Sequence, residues 1–165
     1  MALPELGNFL LYLSFALALY STLGSVVSAK THRMDMTVST ERSLAAIFVM
    51  VATAFVILEY LFLTDRFDVH YVAKASSRDL HTGYKLTAIW SSMEGSLLLW
   101  SLVLATYTYF AVRKISTQRS PLSSYTMTVL AATQVFFLGV VVFLENPFLL
   151  ISDVENVPVG FTPAD

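Results

Sequence analysis

Long apolar runs dominate the chain. They cover roughly residues 6–29, 44–63, 86–112 and 127–144, with shorter polar stretches between them. Each reaches or approaches the roughly 20 residues that carry a helix across a hydrocarbon core of about 30 Å. Strands do not run this long, and an open strand in lipid leaves its backbone groups unpaired, whereas a helix bonds its own. The pattern predicts an all-α integral membrane fold with about four transmembrane helices. Asn146-Pro147 ends the fourth run, because proline lacks an N–H and disfavours helix in the residue before it.

The polar stretches supply the topology. The connections after the first and third runs carry Lys30, Arg33, Arg42, Arg113, Lys114 and Arg119. The other side carries Arg66, Lys74, Arg78 and Lys85 together with most of the acids. This modest bias puts the two short connections in the cytoplasm, and the N-terminus, the long middle loop and the tail outside. Ser39-Thr40-Glu41 suits a cap before the second helix. The middle loop, 64–85, is longer than a helix hairpin needs, and loops of that size are often functional. The tail, 146–165, has prolines and acids and no helical period. It is expected to leave the four-helix unit, 1–145, and to lead into a remainder. The first run is not read as a cleaved signal: residues 1–5 have no Lys or Arg and carry an acid, and the apolar stretch is too long.

Composition narrows the function classes. Charged residues make up 13% and apolar residues 56% of the 165 positions, against about 25% charged in a soluble domain. Net charge is −2, so nothing draws the chain to nucleic acid. There is no cysteine, which excludes disulfides, thiolate zinc sites and thiol redox chemistry within the chain.

Few residues are candidates for chemistry. Glu94 falls about eight residues into the third run, a depth of roughly 12 Å. An acid so placed either carries a proton or a ligand, or is a neutral carboxyl bonded to a neighbouring helix. Glu59 is near the end of its run and reads as an acid reaching interfacial water. Of the three histidines, His32, His70 and His81, none lies in an apolar run, so the chain shows no facing pair for a membrane haem. His70 and His81 share the middle loop, but their spacing is not a defined metal motif, and no metal site is assigned. Trp90, Tyr84 and Tyr71 suit the membrane interface, where amphipathic rings collect. Gly95-Ser96 reads as a packing seam between helices. No catalytic residue is assigned.

The middle of the chain carries the specific strings. It reads Asp68-Val69-His70-Tyr71-Val72-Ala73, then Tyr84-Lys85-Leu86-Thr87-Ala88-Ile89-Trp90, then Glu94-Gly95-Ser96-Leu97-Leu98-Leu99-Trp100, and later Asn146-Pro147-Phe148. With the opening Pro4-Glu5-Leu6-Gly7-Asn8-Phe9, these strings resemble the N-terminal part of the CcmF family, the haem lyases of cytochrome c maturation. The related nitrite-reductase assembly proteins share them. The resemblance marks Asp68, Tyr71, Tyr84, Trp90, Glu94, Gly95, Ser96, Trp100, Asn146 and Pro147 as motif positions. His81 stands where the family often has proline, Ser91 where it has glycine, and Met93 where it has histidine, which argues against His81 as a family ligand.

The resemblance implies an N-terminal portion of a cytochrome c-type biogenesis haem lyase, either a split gene product or a truncation. The family's tryptophan-rich haem-handling segment and its bis-histidine haem b would lie C-terminal to it. It implies haem handled by the full assembly and none bound by this segment alone. The implied partners are the remainder of the lyase, other maturation subunits, a haem chaperone, apocytochrome c and membrane lipid, in a bacterial or mitochondrial inner membrane. Lys74, Arg78, Lys85 and Trp90 are the residues placed to meet haem propionates or a partner's acidic face, or simply lipid headgroups. Two other classes fit the bare helices: a proton-coupled transporter using Glu94, and a membrane anchor of an electron-transfer complex.

Overall fold

The computed structural model describes residues 3–31, 34–76, 83, 85, 87, 89–90, 92–116 and 121–151. Within them the apolar runs form long helices: α1 (Leu3–Thr31), α2 (Met34–Leu63), α4 (Met93–Ser116) and α5 (Pro121–Phe143), with a short α3 (His70–Ala75) between α2 and α4. All 4 long helices are long and apolar enough to cross a membrane. Proline sits at the start of α1 and α5, where its missing N–H has no intrahelical partner to lose. Lys30 ends α1, and Arg113 and Lys114 end α4, each facing the negative end of a helix dipole.

The helices form a ring. α1 packs on α2 and α5, and α4 packs on the same two from the opposite side. The core is Leu11, Leu44, Ile47, Leu58, Leu61, Phe62, Leu98, Met127 and Leu138. α1 approaches its neighbours closely because its buried face is nearly all small: Gly7, Ser14, Ala18, Ser21, Gly24, Ser25 and Ser28 recur at spacings of three and four. Hydroxyls stitch this seam: Ser28 with Thr37 of α2 at 2.5 Å, and Thr128 of α5 donating to Ser25 at 2.9 Å. The outward faces carry Leu23, Val56, Tyr107, Phe110 and Phe136, all exposed. In water this would be an aggregation surface; in hydrocarbon it meets its own kind.

The observed bounds differ most from the sequence reading in four places; at the last helix, α5 begins at Pro121 rather than residue 127. α2 starts at Met34, not near residue 44, so Ser39-Thr40-Glu41 is no cap. Thr40 and Ser43 instead donate back to the carbonyls of Met36 and Ser39, which satisfies the hydroxyls inside the helix. The third span starts at Met93 rather than residue 86, after a turn at Ile89–Trp90. Finally, 146–151 does not leave the bundle. It folds back on it, as described next, and 152–165 lies outside the described residues.

Candidate functional site

The strings that stand apart in the sequence meet at one end of the ring, where α2 ends, α4 begins and the chain after α5 returns. Three local devices build this end.

The first is the exit of α2. Arg66 N–H bonds Leu61 C=O at 3.1 Å and Asp65 N–H bonds Phe62 C=O at 3.4 Å, the paired pattern that closes a helix through a left-handed residue. Asp65 is that residue, with φ of 52°. Aspartate tolerates this conformation better than most side chains. Here it also accepts Lys85 Nζ on both carboxylate oxygens, at 2.6 and 2.7 Å. The Lys85 side chain is only 9% exposed. Lys85 is therefore not an open cation for haem or a partner, as its place in a polar loop suggested. Its charge is taken up in holding the middle loop to the end of α2.

The second device is a cradle around Gly95. Tyr71, on α3, is 1% exposed and lies edge-on to Phe62, with centroids 5.1 Å apart. Its hydroxyl donates to Ile89 C=O at 2.6 Å. Burial pushes the phenol up from its ordinary pKa. Tyr71 is thus a core residue and not an interfacial ring. Gly95 abuts the same Ile89 carbonyl, and a Cβ there would collide with that backbone oxygen and come within 2.6 Å of the Tyr71 hydroxyl. Ser96 Oγ donates to Trp90 C=O at 3.1 Å. The Gly95-Ser96 pair therefore clamps the turn before α4; the seam of small residues between helices belongs to α1.

Glu94 moves with this correction. It lies in the first turn of α4, not deep in a span. It accepts Ser92 Oγ at 2.5 Å and pairs with Lys74 at 3.5 Å. A hydroxyl donor, an ammonium and a helix N-terminus are the partners of a carboxylate. They do not suit the neutral carboxyl bonded to a neighbouring helix, one of the two readings that the sequence left open. Trp90, whose carbonyl accepts the Ser96 hydroxyl, is 54% exposed.

The third device docks the returning chain. Asn146 donates to Asn8 Oδ1 at 2.8 Å and accepts the Phe148 N–H at 3.0 Å. Phe148 is buried against Gly7, where any side chain would occupy the ring's place. Val69 and Leu150 form an antiparallel bridge, with His70 N–H on Leu149 C=O and Ile151 N–H on Asp68 C=O, both at 3.0 Å. Arg66 grips Asp68 bidentately at 2.9 and 2.8 Å and holds its carboxyl below the usual carboxylate pKa. Asp68, Asn146 and Pro147 thus serve one joint.

Trp100 sits apart, exposed on the outer face of α4. Tyr84, Arg78, His32 and His81 lie outside the described residues. Among the described residues no cluster of three or more His, Asp or Glu side chains could hold a metal ion. Sequence reasoning passed over Asp65, Ile89, Asn8 and Phe148. The last three lie within the family-like strings, but nothing local shows that those strings touch.

This end defines the protein as a membrane helical ring with an ordered cap, built from the α2–α4 connection and the chain returning after α5. No family model matches the chain. Its homologues are cytochrome c-type biogenesis proteins. The chain is 35% identical over 148 residues to CcmF of Escherichia coli, covering 88% of this chain and 23% of that protein. It is 36% identical over 148 residues to CcmF of Pseudomonas aeruginosa, covering 88% and 22%. NrfE of Escherichia coli matches at 38% over 104 residues, 63% of this chain and 19% of that one. A solved cytochrome c haem lyase CcmF superimposes with a TM-score of 0.83 and 30% identity over 90% of this chain and 25% of that one. The chain thus spans about a quarter of the length of the relatives it matches.

Proposed function

We propose that the chain is an N-terminal membrane portion of a haem lyase that matures c-type cytochromes. It scaffolds the membrane base of that machine and presents the capped end to its haem-handling remainder. The observation that carries this reading is the superposition on a solved haem lyase together with the convergence of the family strings in one cap. The protein lies in an inner membrane with its N-terminus and the returning chain outside, as the basic residues of the connections favour. Its partners are the rest of the lyase, other maturation subunits, a haem chaperone and apocytochrome c.

The residues of the spans do not suit an axial pair for membrane haem. No histidine lies in any of the 4 spans, so a bis-histidine haem takes its ligands from elsewhere in the assembly. Lys74 and Trp90 are the exposed residues beside the cradle, suited to a propionate or a partner surface. Arg78 is the third residue proposed for that role. The transporter reading weakens, because Glu94 is at a helix start and paired.

Co-expression with the remaining lyase and a reporter apocytochrome tests the proposal. Holocytochrome detected by haem peroxidase staining should depend on this chain and fall strongly in Gly95→Leu. Holocytochrome formation without the chain would end the reading, as would proton-coupled substrate uptake by the chain alone in liposomes.

A further inference from the structure

The opposite end of the ring has an open cavity with a different character. It lies between α2 and α4, has a volume of about 330 Å³, and is lined by Glu41, Arg42, Leu44, Ala45, Tyr109, Val112 and Arg113. Its residues are layered. Leu44, Ala45 and Val112 are apolar and belong to the ends of the apolar runs. Glu41, Arg42 and Arg113 lie immediately beyond them along each helix. The cavity therefore straddles the level where hydrocarbon gives way to headgroups. Its aromatic wall is fixed: Phe48 stacks on Tyr109 at 5.1 Å, and the Arg113 guanidinium lies over the same Tyr109 ring at 5.1 Å. That placement orients a planar donor fork at the rim.

We infer that this cavity binds the headgroup of an amine-bearing glycerophospholipid, phosphatidylethanolamine, with the phosphate at Arg42 and Arg113 and the ammonium at Glu41. Basic pockets between transmembrane helices are recurrent phospholipid sites, and arginine matches a phosphate's oxygens in its donor geometry. The carboxylate decides the class. A site for a purely anionic headgroup gains nothing from Glu41, and a like charge beside a phosphate is unfavourable. A zwitterion meets both signs. The apolar wall then takes the first carbons of an acyl chain. The inference does not depend on the lyase reading, since it concerns the other end of the ring.

Native mass spectrometry of the purified full chain, titrated with defined lipids, tests it. Phosphatidylethanolamine should bind roughly tenfold more tightly than phosphatidylcholine, a difference of about one ion-paired hydrogen bond. Glu41→Gln should erase that preference while keeping phosphate-dependent binding. Arg42→Gln with Arg113→Gln should abolish specific retention of both lipids. Ala45→Phe, which fills the cavity without changing charge, should do the same, and circular dichroism checks that each variant is folded. Tighter binding of phosphatidylglycerol than of phosphatidylethanolamine would overturn the inference. So would equal binding of phosphatidylethanolamine and phosphatidylcholine, retention in Ala45→Phe, or full competition by inorganic phosphate, which would mark a soluble-anion site.

Discussion

The two ends of the ring are held by different physics. At the capped end, backbone meets backbone: Gly95 against Ile89 C=O, Leu150 against Val69, Asp65 closing α2. At the other end, hydroxyls of α1, α2 and α5 meet one another, Ser28 with Thr37 and Ser25 with Thr128, and the Thr40 hydroxyl lies beside Gly24. Backbone cannot rotate out of the way, and a hydroxyl can. The same kind of substitution should therefore be severe at one end and mild at the other. A rigid end suits docking a second body in a set geometry; the seam only has to keep helices close.

The sharpest test of that contrast is Asp65. Replacing it by Asn keeps a residue that tolerates the left-handed conformation but strips Lys85 of its charged partner. Removing one member of a buried pair costs about 3–5 kcal/mol, and the value here should fall near the lower bound because the Asp65 side chain is 28% exposed. Thermal unfolding in detergent micelles measures it. Lys85→Met should restore much of the loss in the Asp65→Asn background; no restoration would mean that the pair is not what holds the loop.

Next come the paired glycines. Gly95→Ala drives a methyl into the Ile89 carbonyl and should destabilise the cap by about 1–3 kcal/mol. Gly24→Ala meets only Thr40 Oγ1, at 3.0 Å, and should change stability by less than about 1 kcal/mol, since helix propensity favours Ala over Gly. Equal effects at the two glycines would erase the distinction between the ends.

Tyr71→Phe leaves the ring packed on Phe62 but orphans the buried Ile89 carbonyl. It should cost about 1–3 kcal/mol, nearer the lower figure if water reaches the carbonyl. Hydrogen exchange at the amides of Trp90 and Ser96 should rise more than at those of α5. An unchanged exchange pattern would show that the cradle is closed without the phenol. Lys74→Ala, by contrast, removes an exposed partner of Glu94 and should shift stability by at most about 1 kcal/mol.

The smallest effect is one of pH. The Asp68 carboxyl is held below its ordinary pKa by Arg66, so its contribution is fully present above the unfolded value of about 3.9. It is lost as pH falls through the lower folded value. Stability of the native chain should therefore drop more steeply below about pH 4 than that of Asp68→Asn. Parallel curves would remove Asp68 from the joint between the α2 exit and the returning chain.

Much of this molecule was legible along the chain. Spans show in sequence because the bilayer imposes a length and a composition on every crossing, and each helix answers that demand alone. The strings around Tyr71, Gly95 and Asn146 stand out along the chain because each is a short contiguous unit; that they meet at one end of the ring shows only in the fold. Glu94 was misplaced because apolar residues before α4, such as Ile89, extend the run without extending the helix. The turn at Ile89–Trp90 that ends this ambiguity is held by Tyr71 and Ser96, one of them on another element.

What the sequence by itself determined was the number of crossings and the class of protein. The tertiary structure alone decided the charges and the ends. Lys85 and Lys74 look alike as loop cations, yet one is sealed against Asp65 and the other remains half in water. The chain after α5 has no helical period, yet it docks, because Gly7 leaves a space the size of the Phe148 ring more than a hundred residues earlier. Hydropathy is a local property that periodicity records. An ion pair, an unfilled Cβ position and a returning chain are coincidences of distant residues, and only the fold brings them together.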